Sequence, residues 1–516
     1  MKIFNNILAK GLLFILCAGV VGCDDFLDKS PSKTTSLVPT TVEQLDALLG
    51  AYSSFYQVSN RNSVYATDDY GLYADLYDAR PASYSLAAVQ YALWDKDRIA
   101  FDGRIAFWPN EYRKIFTANM VLQNLSKVSG SNEEKAILEA ESHLIRAYSF
   151  LDLADKYCLP YSESTKDEPG LPLKQSVSFE ELSSRNTLSE TYALIESDLQ
   201  EALKTPVHLL KDGRVRSWRA NIGAANALAA RYYLGRNNYA EALKYANAAL
   251  SEYSTLVDYN TEMRYSDRPN SYTINPNNPE KKADVSLKFP YTHDNQTDMT
   301  DMLGWKEFYY FRLLYHESWW YVPSKELLDL YGRSESDLRY KYHIVEDYSY
   351  DRGMLQPSYS YPGYIFFYKD RIPAGPTVAE MILTKAECLA REGNIPEAIN
   401  TVNILRAKRM DNSLSADKIN LSATTREEAV KKILEERRRE IPFSIRWFDI
   451  RRFNANADAF DDVVITREFY PYTESAVLPQ EPVKAYTLDK DSRRYAVPVP
   501  NTEIISSNGG IVQNKY

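Results

Sequence analysis

The sequence predicts a mainly α protein: helix pairs of tetratricopeptide type form an α superhelical scaffold, which carries an irregular, loop-rich layer and a few short strands. Three observations predict it. Glycine is scarce, 19 in 516 residues, about half its usual ~7% share, which suits helices better than tight β-turns. Apolar residues beyond position 40 recur at three- and four-residue steps. One helix–turn–helix pattern also occurs twice, far apart in the chain.

Residues 134 to 157 place Ile137, Leu144, Tyr148, Leu151 and Ala154 on one stripe, with Glu139, Arg146, Asp152 and Lys156 mostly elsewhere, so one buried helical face is expected. In residues 220 to 250, Ala224, Leu228, Tyr232 and Leu234 run into Gly235-Arg236-Asn237-Asn238, and Ala242, Tyr245, Ala246 and Ala249 resume the pattern. That is two helices joined by a tight turn. Ala230, Asn238, Glu241 and Ala242 then align with Ala386, Asn394, Glu397 and Ala398. Small residues at fixed places let paired helices approach closely, as in tetratricopeptide repeats. The helical regions are expected around 111–157, 186–250 and 377–452. The copies are not tandem, so the stretch between them is either inserted between repeat units or laid on them as a second layer.

That stretch, 253–375, is rich in Pro, Asn, Asp, Tyr and Trp and reads as loops. Within it Ser324 to Tyr331 predicts a short helix with Ser324 as N-cap, and Val285–Phe289 and Tyr364–Tyr368 are candidate strands. A second irregular region, 59–110, carries Tyr65, Tyr70, Tyr73, Tyr77, Tyr84, Tyr91 and Trp94.

The N-terminus is read separately. A basic start, Met1-Lys2 and Lys10, precedes the apolar run Gly11 to Val21, which contains Cys17. Eleven apolar residues span about 16 Å at ~1.5 Å per residue, too short for a ~30 Å hydrocarbon core. The run therefore reads as a secretory signal, residues 1–22, rather than an uncleaved anchor. Val20-Val21-Gly22-Cys23 resembles a bacterial lipobox, with Val20 where Leu is preferred, and makes Cys23 the lipidation site. Several acyl chains at ~0.8 kcal/mol per buried CH₂ would anchor the chain permanently. Residues 23–40 form the tether and 41–516 the folded domain. Cys158 and Cys388 read as small buried hydrophobes, with a disulfide between them as the alternative.

Charge and motifs exclude several functions. The net charge is −9, and the run Arg437-Arg438-Arg439 follows Glu435-Glu436, so it reads as an ordinary charged helix face rather than a nucleic-acid surface. Five histidines form no His-x-x-x-His pair and none lies near a Cys at metal-ligand spacing. A nucleophile elbow and a phosphate loop are both missing. A glycosidase carboxylate pair needs a separation in space that the sequence does not give. No enzyme, cofactor or resident metal is predicted. Asp294, Asp298 and Asp301, or Asp95 and Asp97, offer oxygen ligands to calcium but match no EF-hand loop, and solvated acids are the plainer reading.

Five separated motifs resemble the SusD/RagB nutrient-binding outer-membrane lipoproteins of Bacteroidetes. These are Cys23-Asp24-Asp25-Phe26-Leu27-Asp28 with Pro31; Glu139 to Tyr157 with Gly170-Leu171-Pro172-Leu173; Ala224 to Leu250; Ala379 to Arg409 followed by Ile433 to Arg452; and the ending Val497 to Ile504 with Gln513 to Tyr516. One departure is Ile441-Pro442-Phe443-Ser444-Ile445, where many relatives have Gly with His or Glu before the Arg-Trp pair. Pro442 is expected to end the preceding helix. Acids after Cys23 resemble the surface-export signal of such lipoproteins, and are equally compatible with a solvated spacer.

The resemblance implies a SusD-like fold with no catalysis. Such a protein is lipid-anchored at the outer membrane and exposed at the cell surface. It passes oligosaccharides to a SusC-type TonB-dependent transporter, with peptide capture or a purely structural lid as alternatives. The helix-pair side is the natural docking face for that partner, or else simply supports the binding layer. Sugar binding needs ring faces for C–H surfaces and polar groups for hydroxyls. The candidates in the irregular layer are Tyr73, Tyr77, Arg80, Tyr91 and Trp94 from the first region, and Asn295, Trp305, Tyr309, Trp319 and Trp320 from the second. Trp108, Trp218 and Trp447 are set aside; Trp108 and Trp447 read as core.

Overall fold

The computed structural model describes residues 39–99, 107–178, 183–263, 270–275, 278–285, 302–315, 321–345, 362–367 and 371–516. Cys23, Asn295, Trp319, Trp320 and the acids Asp294, Asp298 and Asp301 lie outside the described residues.

The described residues are mainly helical. The N-terminal part is α1 (Val42–Gly50), followed by three short helices, α2 (Arg61–Tyr65), α3 (Ala74–Ala79) and α4 (Leu86–Ala92). Next come α5 (Phe107–Asn124), α6 (Asn132–Tyr157), α7 (Leu188–Ala202), α8 (Ile222–Gly235) and α9 (Tyr239–Glu252). Within the intervening region lie α10 (Lys325–Leu330) and α11 (Leu338–His343), and after it come α12 (Val378–Arg391), α13 (Ile395–Arg409), α14 (Arg426–Glu440), α15 (Arg446–Asn454) and α16 (Asn501–Ser506).

Local chemistry sets the helix starts. Ser131 and Glu134 form a capping box on α6, with Oγ accepting from the Glu134 N–H at 3.2 Å and the carboxylate accepting from the Ser131 N–H at 3.0 Å. Thr187 and Glu190 repeat it on α7. Each box satisfies two orphan donors of a first turn. The Asn238 side chain caps α9, accepting from the Glu241 N–H at 3.2 Å. Its counterpart Asn394 makes no such bond, and Pro396 stands in the first turn of α13 instead.

The two sequence-similar pairs, α8–α9 and α12–α13, pack side by side through α9 and α12. The two pairs are thus neighbours in space although the stretch 253–375 separates them in the chain. Ala227, Ala230, Ala246, Ala249, Ala386 and Ala398 are all buried in the core of this array, and their small side chains allow the close approach.

Two expectations need correction. α6 does not bury a single stripe: Arg146 and Lys156 are as buried as Leu144, and Ile137 is only half-buried. The two cations are neutralised inside, Arg146 by Asp198 at 2.6 Å and Lys156 by Asp152 at 3.2 Å and by Asp155. The run Arg437–Arg439 is likewise no solvated face. Arg437 pairs with Asp449 at 2.8 Å, Arg438 with Asp69 at 2.6 Å and Arg439 with Glu436 at 2.9 Å. Glu436 also takes Arg339 and Arg406, each at 2.7 Å. Burial opposes its charge, but Arg339 and the other guanidiniums outweigh that and hold its carboxyl far below the ordinary range.

α14 stops at Glu440, before Pro442, as expected. Phe443 then enters the left-handed region (φ 63°) and its N–H donates to Asp69 at 2.8 Å. The departure from the family pattern is therefore a turn latched onto the segment that follows α2. Ser324 caps α10 as read from the sequence, its Oγ accepting from the Leu327 N–H at 3.1 Å. Cys158 and Cys388 are buried free thiols, not a disulfide.

Short strands tie the layers together. β1 (Gln57–Val58) pairs in parallel with β6 (Leu313–Tyr315), which pairs antiparallel with β9 (Arg371–Pro373). Among the described residues four two-stranded ribbons accompany these: β2 (Leu210–Lys211) with β3 (Arg214–Val215), β4 (Asn270–Asn275) with β5 (Asn278–Val285), β7 (Ile344–Val345) with β8 (Gly363–Tyr364), and β10 (Ile465–Phe469) with β11 (Lys484–Leu488). Of the candidate strands, Val285 is the last residue of β5 and Tyr364 the last of β8; 286–289 and Tyr368 lie outside the described residues. Just after β9, Gly375 runs so close to the strand region before β6 that a Cβ would collide with the Tyr310 carbonyl oxygen. Gly375→Ala must push two backbones apart and is expected to cost about 2–3 kcal/mol, read as a lower urea midpoint at unchanged m-value.

Candidate functional site

The region 59–110 is less irregular than its sequence suggests, because α2, α3 and α4 fold within it. Most of its rings turn inward: Tyr65, Tyr70, Tyr84 and Tyr91 all belong to the main core. Trp94 is 4% exposed, sits at φ 53° and donates its indole N–H to the Ala66 carbonyl at 2.9 Å.

The second candidate set is also turned inward where it is described. Trp305 is 4% exposed and packs edge-on against Phe366 and Phe367. Tyr309 is fully buried and donates its hydroxyl to the Tyr253 carbonyl. Tyr91, Trp94, Trp305 and Tyr309 therefore pack the layer down and have no ring face free for a ligand. Trp108 and Trp447 are buried, in keeping with their core reading.

Tyr73, Tyr77 and Arg80, by contrast, are half-buried on and beside α3. Tyr73 borders a groove of about 600 Å³, within the range of small-molecule sites. One wall is the segment from Tyr70 to Asp75, a second is the N-terminus of α10, and the third is β10. The Tyr73 hydroxyl donates to the Pro323 carbonyl at 3.3 Å, and Lys325 lies 5.5 Å from the ring centroid. Tyr77 stands edge-on to Phe469 and Tyr470, at centroid distances of 5.7 and 6.1 Å. Tyr470 in turn donates to Asp78 at 2.8 Å. Tyr77 and Tyr470 are half-buried, whereas Phe469 lies wholly in the core.

Arg467 holds the groove in shape. Its guanidinium is buried and donates to four main-chain carbonyls, those of Tyr65 (2.8 Å), Ala92 (2.6 Å), Thr67 and Tyr70 (3.2 Å). It also lies 5.2 Å from the Trp94 ring centroid. Burial pushes its pKa down to about 10, so the group stays charged at neutral pH.

Asp95 does not present free ligands to calcium. It accepts from the Asp97 and Arg98 N–H groups, from the Arg98 guanidinium at 2.9 Å and from the Tyr472 hydroxyl at 3.0 Å. Sequence reading missed Thr466, Glu468 and Tyr470. The signal was present in Ile465-Thr466-Arg467-Glu468-Phe469, whose two apolar ends and alternating exposure mark a half-buried strand.

A family model described as SusD-like, starch-binding associating with outer membrane, matches residues 25–234, and the SusD family model matches residues 378–516. SusD-like protein P2 of Formosa agariphila is 23% identical over 98% of this chain and 99% of its own. Among solved structures, a protein of Bacteroides vulgatus proposed to bind sugar superposes with TM-score 0.63 at 18% identity, covering 93% of this chain and 99% of that one. A laminarin-binding SusD-like protein superposes with TM-score 0.54 at 16% identity, covering 92% and 99%. The chain belongs to the SusD/RagB family, whose members are binding proteins and not enzymes.

Proposed function

We propose that this is a glycan-binding lipoprotein, anchored in the outer membrane through acylated Cys23, that captures oligosaccharides at the cell surface and delivers them to a SusC-type TonB-dependent transporter. The carrying observation is the half-buried Tyr73 on the wall of a groove edged by Asp75, Lys325 and Glu326, with Tyr77 and Arg80 half-buried farther along the same segment. Rings take the apolar sugar faces, and the charged groups take hydroxyls. The binding named for the laminarin-binding neighbour supports the same ligand class. Capture beside a transporter tolerates micromolar to millimolar dissociation constants, about −8 to −4 kcal/mol.

Affinity electrophoresis of a chain starting after Cys23, against laminarin, other polysaccharides and peptides, tests the proposal. Tyr77→Ala and Tyr73→Ala should each weaken retention about tenfold, since a ring contact contributes up to ~1.5 kcal/mol, with thermal unfolding little changed. Retention of peptides alone would replace the glycan reading. Binding of neither, with loss of transporter assembly on deletion, would leave a structural lid.

A further inference from the structure

The third wall of the groove has a chemistry that sugar binding does not use. β10 pairs with β11 on one side only. Among the described residues, no main-chain group pairs with its other edge. Five consecutive residues, Val464 to Glu468, line the groove. Consecutive residues from both faces reach the groove, which brings the edge of β10 to it, and Val483 before β11 extends the lining over the ribbon's exposed face. Five residues extend about 17 Å. Val464 before β10 and Val483 before β11 are 54% and 45% exposed, an apolar pair at opposite ends of the ribbon.

We propose that the free edge of β10 docks an extended, lysine- or arginine-bearing segment of a partner protein by strand addition. A strand edge offers N–H and C=O groups in alternation, and a second main chain is the ligand that matches that spacing along its whole length. The edge is preorganised, because Arg467 in mid-strand is fixed to four main-chain carbonyls, one of them that of Tyr70 in the opposite wall. Its charge selects the occupant. Glu468 on the strand and Glu326 across the groove are both exposed, and among the described residues neither has an ion-pair partner. A second copy of this chain would set Glu468 against its own kind, and like charges across a strand pair repel. With Asp75, also exposed, the two glutamates outnumber Lys325, the exposed cation of the groove, and this acidic excess suits one dedicated partner sequence better than nutrient peptides of mixed composition. This inference shares the groove and Glu326 with the glycan reading, but rests on the edge of β10 and not on the rings of Tyr73 and Tyr77.

Fluorescence anisotropy tests it, with the purified protein and end-capped heptapeptides alternating Val with Lys or Val with Glu. The Val–Lys peptide should bind at least tenfold more tightly at low salt. N-methylation of its alternate residues that face β10 should weaken binding at least tenfold, and methylation of the intervening residues should leave it unchanged. Glu326→Gln with Glu468→Gln should reduce the Lys-over-Glu preference below threefold with thermal unfolding unchanged. No binding, equal binding of the two peptides, indifference to the register of methylation, or equal affinity for mixed-sequence peptides would each overturn the proposal.

Discussion

A Glu387→Gln protein is expected to lose about 3–5 kcal/mol of stability at pH 7, the cost of taking one partner from a buried charge pair. Glu387 is fully buried in α12. Its carboxylate accepts from both terminal nitrogens of Arg452, at 2.6 and 2.7 Å, and from Arg391 at 2.8 Å. Burial alone would raise its pKa, but Arg452 and Arg391 outweigh burial and hold it at about 2, below its ordinary 4.5. A carboxyl depressed in the folded state contributes stability above its unfolded pKa and loses it as pH falls through the folded value. The gap between parent and variant should therefore be flat above about pH 5 and begin to close below about 4.5, narrowing toward pH 2. Carboxyls raised by burial, such as Glu307 and Asp69, are common to both proteins and cancel in the difference. Urea midpoints between pH 7 and 3.5 read the effect directly. A gap that stays constant with pH would show that Glu387 acts through shape and not charge.

The same residue shows where sequence reading runs out. The helix pairs were legible because their determinants are local: Asn238 and Glu241 cap α9 three residues apart, and the alanines of α8 and α12 lie within single helices. The stacking of α9 on α12 was not, since the two are separated by a stretch longer than either pair. The buried charges were misread for a related reason. Glu435 to Arg439 looks like a solvated face in any local window, and its partners Asp69, Arg339, Arg406 and Asp449 come from four other parts of the chain. The aromatic candidates divide on a similar point. Composition supplied the rings, but whether a ring turns in or out depended on turns such as the one at Trp94, where the left-handed backbone directs the indole onto Ala66. Tyr73 and Tyr77 stay half-exposed because the short helix α3 buries only Leu76.

That division makes Arg467 the residue on which the groove most depends. Arg467→Met keeps much of the side-chain length and removes every donor, leaving the carbonyls of Tyr65, Thr67, Tyr70 and Ala92 without their guanidinium. A buried polar group left unsatisfied costs about 1–3 kcal/mol, and partial relaxation of four neighbours brings the expected loss to about 3–5 kcal/mol. Arg467→Lys should recover less than half, because an ammonium has three donors and no planar fork to span carbonyls drawn from two separate segments. The damage should also be local before it is global. Amides in 65–72 and 92–95 are expected to exchange faster by tenfold or more at temperatures well below the melting point, since it is the guanidinium that ties those segments to β10. Polysaccharide retention should fall with them, as the wall carrying Tyr73 loses its fixed distance from the strand. Unchanged exchange in those segments, despite a lowered melting temperature, would mean that the groove is shaped by the packing of Tyr70, Tyr84 and Phe469 rather than by the arginine.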